Sequence, residues 1–137
     1  MTAQEQYEEL SFYTLSLQDE DFIHQHVVDA YAAQTAIADT KPITVFFSLA
    51  GLYLFVEKNY TGRQVQTAHL KMAKKPKEYP KIIFPESRGS VTVKNVLDAP
   101  PGNERDKVIR QWCVSVWKAF SDQHEAIISL TEKLLIK

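Results

Sequence analysis

Residues Ile43 to Val56 read ITVFFSLAGLYLFV, without one charged side chain. A helix written this way is apolar on nearly every side, so it belongs in the middle of the molecule with neighbours all round it. A bilayer crossing takes about 20 apolar residues, and this run is too short for one. It is therefore expected to be a core helix. Ser48, Ala50 and Gly51 are small enough to let a neighbouring backbone approach closely. Thr40 and Pro42 open the helix, because a proline fits a first turn, where its missing amide has no partner to lose.

Working outward from this centre, EQYEELSFYTLSL implies a helix over residues 3–16. A second follows over 21–37, with Asp19 or Asp21 as its cap and negative charge near its start. Thr61 and Gln64 have the form of a capping box, so a further helix is expected over 62–74. Five of the six prolines (Pro76, Pro80, Pro85, Pro100 and Pro101) then fall between Lys75 and Gly102. That span reads as a long connection containing one short helix over 92–97, capped by Thr92. From Asn103 onward, helical spacing runs through Ile109, Trp112, Val116, Phe120, Ile127, Leu130 and Leu134, with a break at Ser121 or Asp122. The expected fold is all-α: a single helical domain over 1–137, a bundle of four to six helices with a proline-rich connection before the last long helix.

The chain carries 16 basic and 17 acidic residues, a formal charge of −1. That balance offers no broad electrostatic footprint for nucleic acid or an anionic membrane. Lys71, Lys74, Lys75, Lys77 and Lys81 form a local basic run beside Tyr79, which reads as a solvated loop. The single cysteine, Cys113, permits no internal disulfide and no cysteine-rich zinc site. It reads as a packed small hydrophobe, and Trp112 and Trp117 read as core. MTAQEQYEEL lacks the regions of a signal peptide, and the expected setting is the cytoplasm. There is no Walker loop, GxGxxG, HExxH or GxSxG, so the common nucleotide, zinc-protease and serine-hydrolase chemistries lack their parts.

The chemistry that remains is concentrated in FIHQHVVDAYAAQ, Phe22 to Gln34. Projected at about 100° per residue, His24 and Gln34 fall within the apolar arc of this helix. His26 and Asp29 fall toward its wetter side, where they can pair as neighbours three apart. The same projection turns His69 inward on the helix over 62–74 and His124 inward on the last. Neutral imidazole is the commonest metal ligand, and three imidazoles plus a water make an open catalytic geometry. One reading is thus a metal site of His24, His69 and His124 for zinc, nickel or iron, with Asp29, Tyr31 and Gln34 as supporting or pocket residues. In the other, each histidine bonds a tyrosine, a glutamine or a helix carbonyl, no cofactor is bound, and the chain is a non-catalytic helical interaction protein that associates with itself. A third is a small-ligand binder using Gln34, Tyr31 and Arg88.

His24, Val28, Asp29, Ala30, Tyr31 and Gln34, spaced as H-x-x-x-V-D-A-Y-x-x-Q, recur with other signals: SLAGLYLFVE at 48–57, then Gly89, Thr92, Val93 and Val96. Trp112, Trp117, Ala119, Phe120, Ser121 and His124 follow. This combination resembles a bacterial family known as domain of unknown function 5946. The resemblance covers most of the chain and implies no activity. It marks His24, Asp29, Tyr31, Gln34 and His124 as matched polar positions, whereas His69 rests on its helical face alone. Many members carry a cysteine pair before the first helix and a histidine just after the glutamine; this chain has no cysteine there and has Thr35 at the second place.

Overall fold

The computed structural model describes residues 1–75 and 78–136; Pro76 and Lys77, two positions of the expected connection, lie outside the described residues. Among those described there are seven α-helices and no strand, so the fold is all-α. The helices are α1 (Ala3–Ser16), α2 (His24–Thr35), α3 (Pro42–Val56), α4 (Gly62–Ala73), α5 (Val93–Asp98), α6 (Asn103–Ala119) and α7 (His124–Leu135), with a single 3-10 turn at Ser121–Gln123 between the last two. Seven exceeds the expected four to six. The capping box of Thr92 and Asn95 starts α5, and the helical spacing after Asn103 divides at Phe120, where α6 ends.

Local chemistry sets several of the boundaries. Thr2 with Glu5 and Thr61 with Gln64 form complete capping boxes, so two otherwise unpaired amides are satisfied at the start of α1 and of α4. The Asp19 carboxylate takes the amide of Ile23 at 2.9 Å, just ahead of α2. Pro42 stands in the first turn of α3.

Helix α3 is the hub. It packs on α2, α4, α6 and α7, and Phe46, Leu49, Leu52 and Leu54 are almost wholly enclosed. Each such side chain contributes about 1.5–3 kcal/mol by leaving water. Its one buried hydroxyl on a serine, Ser48, donates to the Val45 carbonyl at 2.8 Å. Helix α2 likewise has four helices, α1, α3, α4 and α6, against it. Among the described residues, no helix is long and apolar enough to cross a membrane.

Residues 78–92 run without helix or strand and are pinned to the bundle by side chains. Gln34 donates to the carbonyls of Arg88 at 3.2 Å and Val91 at 2.8 Å, while its own carbonyl accepts from Trp112 Nε1 at 2.9 Å. Arg88 answers by donating to the carbonyls of Ala33 and Gln34 at the end of α2. Gly89, at φ +99°, lies so close to Ser115 that a β-carbon would collide with it. That approach lets the Ser115 hydroxyl accept the Ser90 amide at 3.0 Å.

Candidate functional site

The three inward histidines do not meet. His24 Nδ1 is hydrogen-bonded to the Thr14 hydroxyl of α1 at 2.8 Å. His69 Nε2 donates to the Phe47 carbonyl of α3 at 2.9 Å. His124 Nε2 donates to the Trp117 carbonyl at 2.7 Å, its ring stacked on the indole at 3.7 Å. Among the described residues, no three His, Cys, Asp or Glu side chains are placed to hold a metal ion together. All three rings are half-buried, and His24 lies on the less buried side of α2. The projection could not give the height along the bundle, and each ring settled on the nearest polar atom.

Two of the other matched positions are also occupied with structure. Tyr31 stacks on Tyr7 at 4.0 Å and donates to Gln4 Oε1, joining α2 to α1. Gln34 is the clip described above, and Arg88 is committed to the end of α2. The pocket of Gln34, Tyr31 and Arg88 is therefore not formed: these side chains are spent on three separate junctions. Two lysines of the basic run, Lys71 and Lys75, donate to the carbonyls of Leu135 and Ile136 at the end of α7.

His26 and Asp29 correct the expectation more sharply. Each is 3 % exposed, not on a wet face. The projection took the wrong arc as the inner one: the buried residues of α2 are His26, Val27, Asp29, Ala30 and Ala33, while His24, Gln25, Val28, Tyr31, Ala32 and Thr35 share its less buried side. The Asp29 carboxyl accepts from Gln25 Nε2 at 3.1 Å through Oδ1, while Oδ2 is buried without a partner. It fills the space that a side chain at Gly51 would take, since a β-carbon there would overlap it. Burial raises its pKa well above the usual carboxylate range. Cys113, fully enclosed, donates its thiol toward the His26 carbonyl at 3.6 Å. Burial, and secondarily the Asp29 carboxyl, push the thiol's pKa up, which fits the expected packed hydrophobe rather than a nucleophile.

His26 lies face to face with Phe55, ring centres 3.5 Å apart. Burial lowers its pKa to about 4, with the Arg110 guanidinium acting in the same direction and Asp19 opposing it. The ring is therefore neutral at neutral pH, and its Nδ1 is buried with no hydrogen-bond partner. An unpaired polar atom in the interior costs about 1–3 kcal/mol, so its retention here is informative.

His26 and Phe55 line the inner part of a cleft of about 670 Å³. One wall is the turn between α1 and α2, with Leu17, Asp19, Glu20, Asp21 and Ile23; the other is the turn between α3 and α4, from Asn59 to Thr61, and Asp106 of α6 completes the rim. The first turn is locked against α4: Arg63 donates its backbone amide to Asp21 O and its Nε to Glu20 O, both at 3.0 Å. Gly62 permits this, because a β-carbon there would run into the Phe22 carbonyl. Both turns hold non-glycine residues in left-handed backbone, Gln18 at φ 52°, Phe22 at φ 53° and Asn59 at φ 58°. For a ring as bulky as Phe22 this conformation is strained and persists only where its surroundings impose it.

The cleft escaped the sequence reading because turns, which helical periodicity does not describe, make its walls. No curated protein and no solved structure matches the chain. The cleft residues, Leu17 to Asp106, all fall within a longer matched span, while His124 and α7 lie beyond it. Over residues 3–121 the chain matches the model of a family of unknown function, DUF5946, and it belongs to that family.

Proposed function

We propose that this protein binds a small molecule in the cleft between the α1–α2 and α3–α4 turns, with His26 and Phe55 as the inner contact surface. One observation carries this reading: His26 is almost wholly enclosed, has an unbonded Nδ1, and still lines an open cleft of about 670 Å³, a size typical of small-molecule sites. A histidine needed only for packing finds partners for its nitrogens, as His69 and His124 do through their Nε2 atoms. In this reading His24, His69 and His124 are structural and no metal is required of them. Their placement gives no support to a shared ion.

The test is a screen of soluble metabolites by thermal shift, followed by NMR of the His26, Phe55 and Tyr60 rings. A blocking variant, Leu17→Trp, enlarges an exposed side chain of the rim. The expected result is stabilisation of the wild-type chain by one chemical class, shifts confined to those rings, and loss of both in Leu17→Trp. Ligands that map elsewhere, or that bind Leu17→Trp equally well, would overturn the proposal.

A further inference from the structure

We infer that this chain associates with a second copy of itself: the acidic face of α1 on one copy docks along the basic face of α6 on the other, the two helices running parallel. None of the residues involved lines the cleft, so the inference is independent of the binding role proposed above.

The near-neutral total conceals a segregation of charge. Residues 1–40 carry eight acidic side chains and no lysine or arginine, so all 16 basic residues fall in 41–137. In α1, Glu5, Glu8 and Glu9 are exposed along one stripe, and Phe12 continues that stripe at 78 % exposure with Leu15 beside it at 52 %. The opposite side of α1 holds the buried Leu10 and Thr14 and packs on α2 and α5. A single apolar residue at the surface is ordinary. Two within one turn, continuing a row of like charges, make a face with a definite sign.

A face of the other sign lies on α6. Lys107, Arg110, Gln111, Val114 and Lys118 are exposed there and line a groove of about 510 Å³, bordered by Ser90 of the segment without regular structure. Among the described residues, no acid lines this groove. The charges of both faces are uncommitted to ion pairs, since the sole pair among the described residues is Lys94 with Asp98.

The two faces also share one spacing. Polar residues stand at 5, 8 and 9 with the apolar ring at 12, and at 107, 110 and 111 with the apolar side chain at 114. Laid parallel in register, Glu5 falls opposite Lys107, Glu8 opposite Arg110 and Phe12 opposite Val114. Laid antiparallel about the same apolar pair, only Glu8 meets a cation, Lys118. The complement of α1 is thus present in the same chain at the same intervals, which favours a second copy over a foreign basic partner. Exposed ion pairs contribute little each and weaken with salt, so they select partner and register, while Phe12 and Leu15 supply apolar area. Helix α1 has 14 residues, about 21 Å of helix. One helix pair of that length is at the small end of specific interfaces, so the association is expected to be weak and reversible.

Sedimentation velocity of the full chain over roughly 10 μM to 1 mM, the range in which weak interfaces fill, is the test. Mass above the monomer is expected to grow with concentration and to shrink as salt is raised. Phe12→Ala, at an exposed position, is expected to leave the unfolding temperature unchanged and to weaken association by about tenfold, as loss of an aromatic anchor does. Two double variants separate the faces: Glu8→Lys with Glu9→Lys spoils α1, and Lys107→Glu with Gln111→Glu spoils α6. Arg110 is left in place because it stands over the Phe55 ring. Each double variant alone is expected to be monomeric. Their equimolar mixture is expected to form a heterodimer, because one chain keeps an intact α6 and the other an intact α1. The register is read by Gln111→Glu, which sets an acid opposite Glu9 and should weaken association; adding Glu9→Lys to the same chain should restore it. A wild-type chain that stays monomeric throughout would overturn the inference, as would a mixture that stays monomeric or a Glu9→Lys that fails to restore. Tighter binding of a lysine-rich helical peptide than of a second copy would assign the α1 face to a foreign partner and overturn it too.

Discussion

The Asp29 carboxyl group occupies the place that the β-carbon of any other residue at position 51 would need. Glycine in a helix interior costs about 1 kcal/mol relative to alanine, so Gly51 is a local sacrifice that gives α2 and its buried acid close access to α3. Gly51→Ala is expected to destabilise the wild-type chain by about 1–3 kcal/mol, the usual cost of overpacking. In an Asp29→Ala background the same change should become neutral or stabilising, because only the helix-propensity gain remains. Chemical denaturation of the four chains measures the coupling. Additive effects would show that the two positions are independent.

Asp29 also gives stability a pH dependence of definite sign. Its folded pKa is raised well above the ordinary value near 3.8. The folded chain therefore keeps a proton that the unfolded chain has released. Stability from this group is greatest below that ordinary value and is lost as pH rises toward the folded pKa. Asp29→Asn keeps the shape of the protonated acid and removes the titration. The stability difference between the Asp29→Asn and wild-type chains should therefore widen in favour of the variant as pH rises from the ordinary carboxylate range through neutrality. Parallel unfolding curves across that range would contradict it.

The sequence made the central features of this fold legible where a local rule operates. The uncharged run of α3 could only be central, the Thr61–Gln64 box marked the start of α4, and the break near Ser121 was visible in the spacing. It failed where a rule needed knowledge of neighbours. His26 and Asp29 were assigned to water because α2 mixes polar and small apolar residues on both sides, so its composition does not reveal that the arc of His26, Asp29 and Ala33 is the one its neighbours enclose. The trio of His24, His69 and His124 failed differently: azimuth is encoded in periodicity, but height along a bundle is set by loops and tilts. Of the acids that line the cleft, Asp19 and Asp21 read in the sequence only as candidate caps for α2. Asp19 does take the Ile23 amide, but that the same turn also lines a cleft depends on how it folds against the α3–α4 turn, which local rules do not give.

His26 sets an acid limit opposite in sign to that of Asp29. Its folded pKa is lowered from 6.5 to about 4, first by burial and then by Arg110. Unfolded chains take up a proton as pH falls through 6.5, whereas the folded ring resists until about 4, so its stabilising contribution is complete above that window and lost within it. A shift of this size corresponds to about 3 kcal/mol. Ring NMR should show His26 neutral down to near pH 4. His26→Phe, which retains a ring against Phe55, should flatten the loss of stability between pH 6.5 and 4. A ring titrating near its ordinary value in the folded chain would contradict the burial argument.

Gln34 ties three elements through one amide. It donates to the carbonyls of Arg88 and Val91, and its own oxygen accepts from Trp112 Nε1 at 2.9 Å. Gln34→Leu keeps most of the volume and strands all three partners, two of them carbonyls of the segment without regular structure. At about 1–3 kcal/mol for each buried group left unpaired, with some relief from water at the carbonyls, the expected cost is about 2–4 kcal/mol. The damage should be local. Amide exchange at Ser90, Val91 and Thr92 should speed up more than in α3, and the Trp112 indole N–H resonance should move. Gln34→Glu separates hydrogen bonding from packing, because it still accepts from Trp112 but no longer donates. It should therefore free the 88–91 segment while leaving the indole in place. If both variants exchange uniformly faster along the whole chain, Gln34 supports the bundle as a whole and is not a clip for this segment.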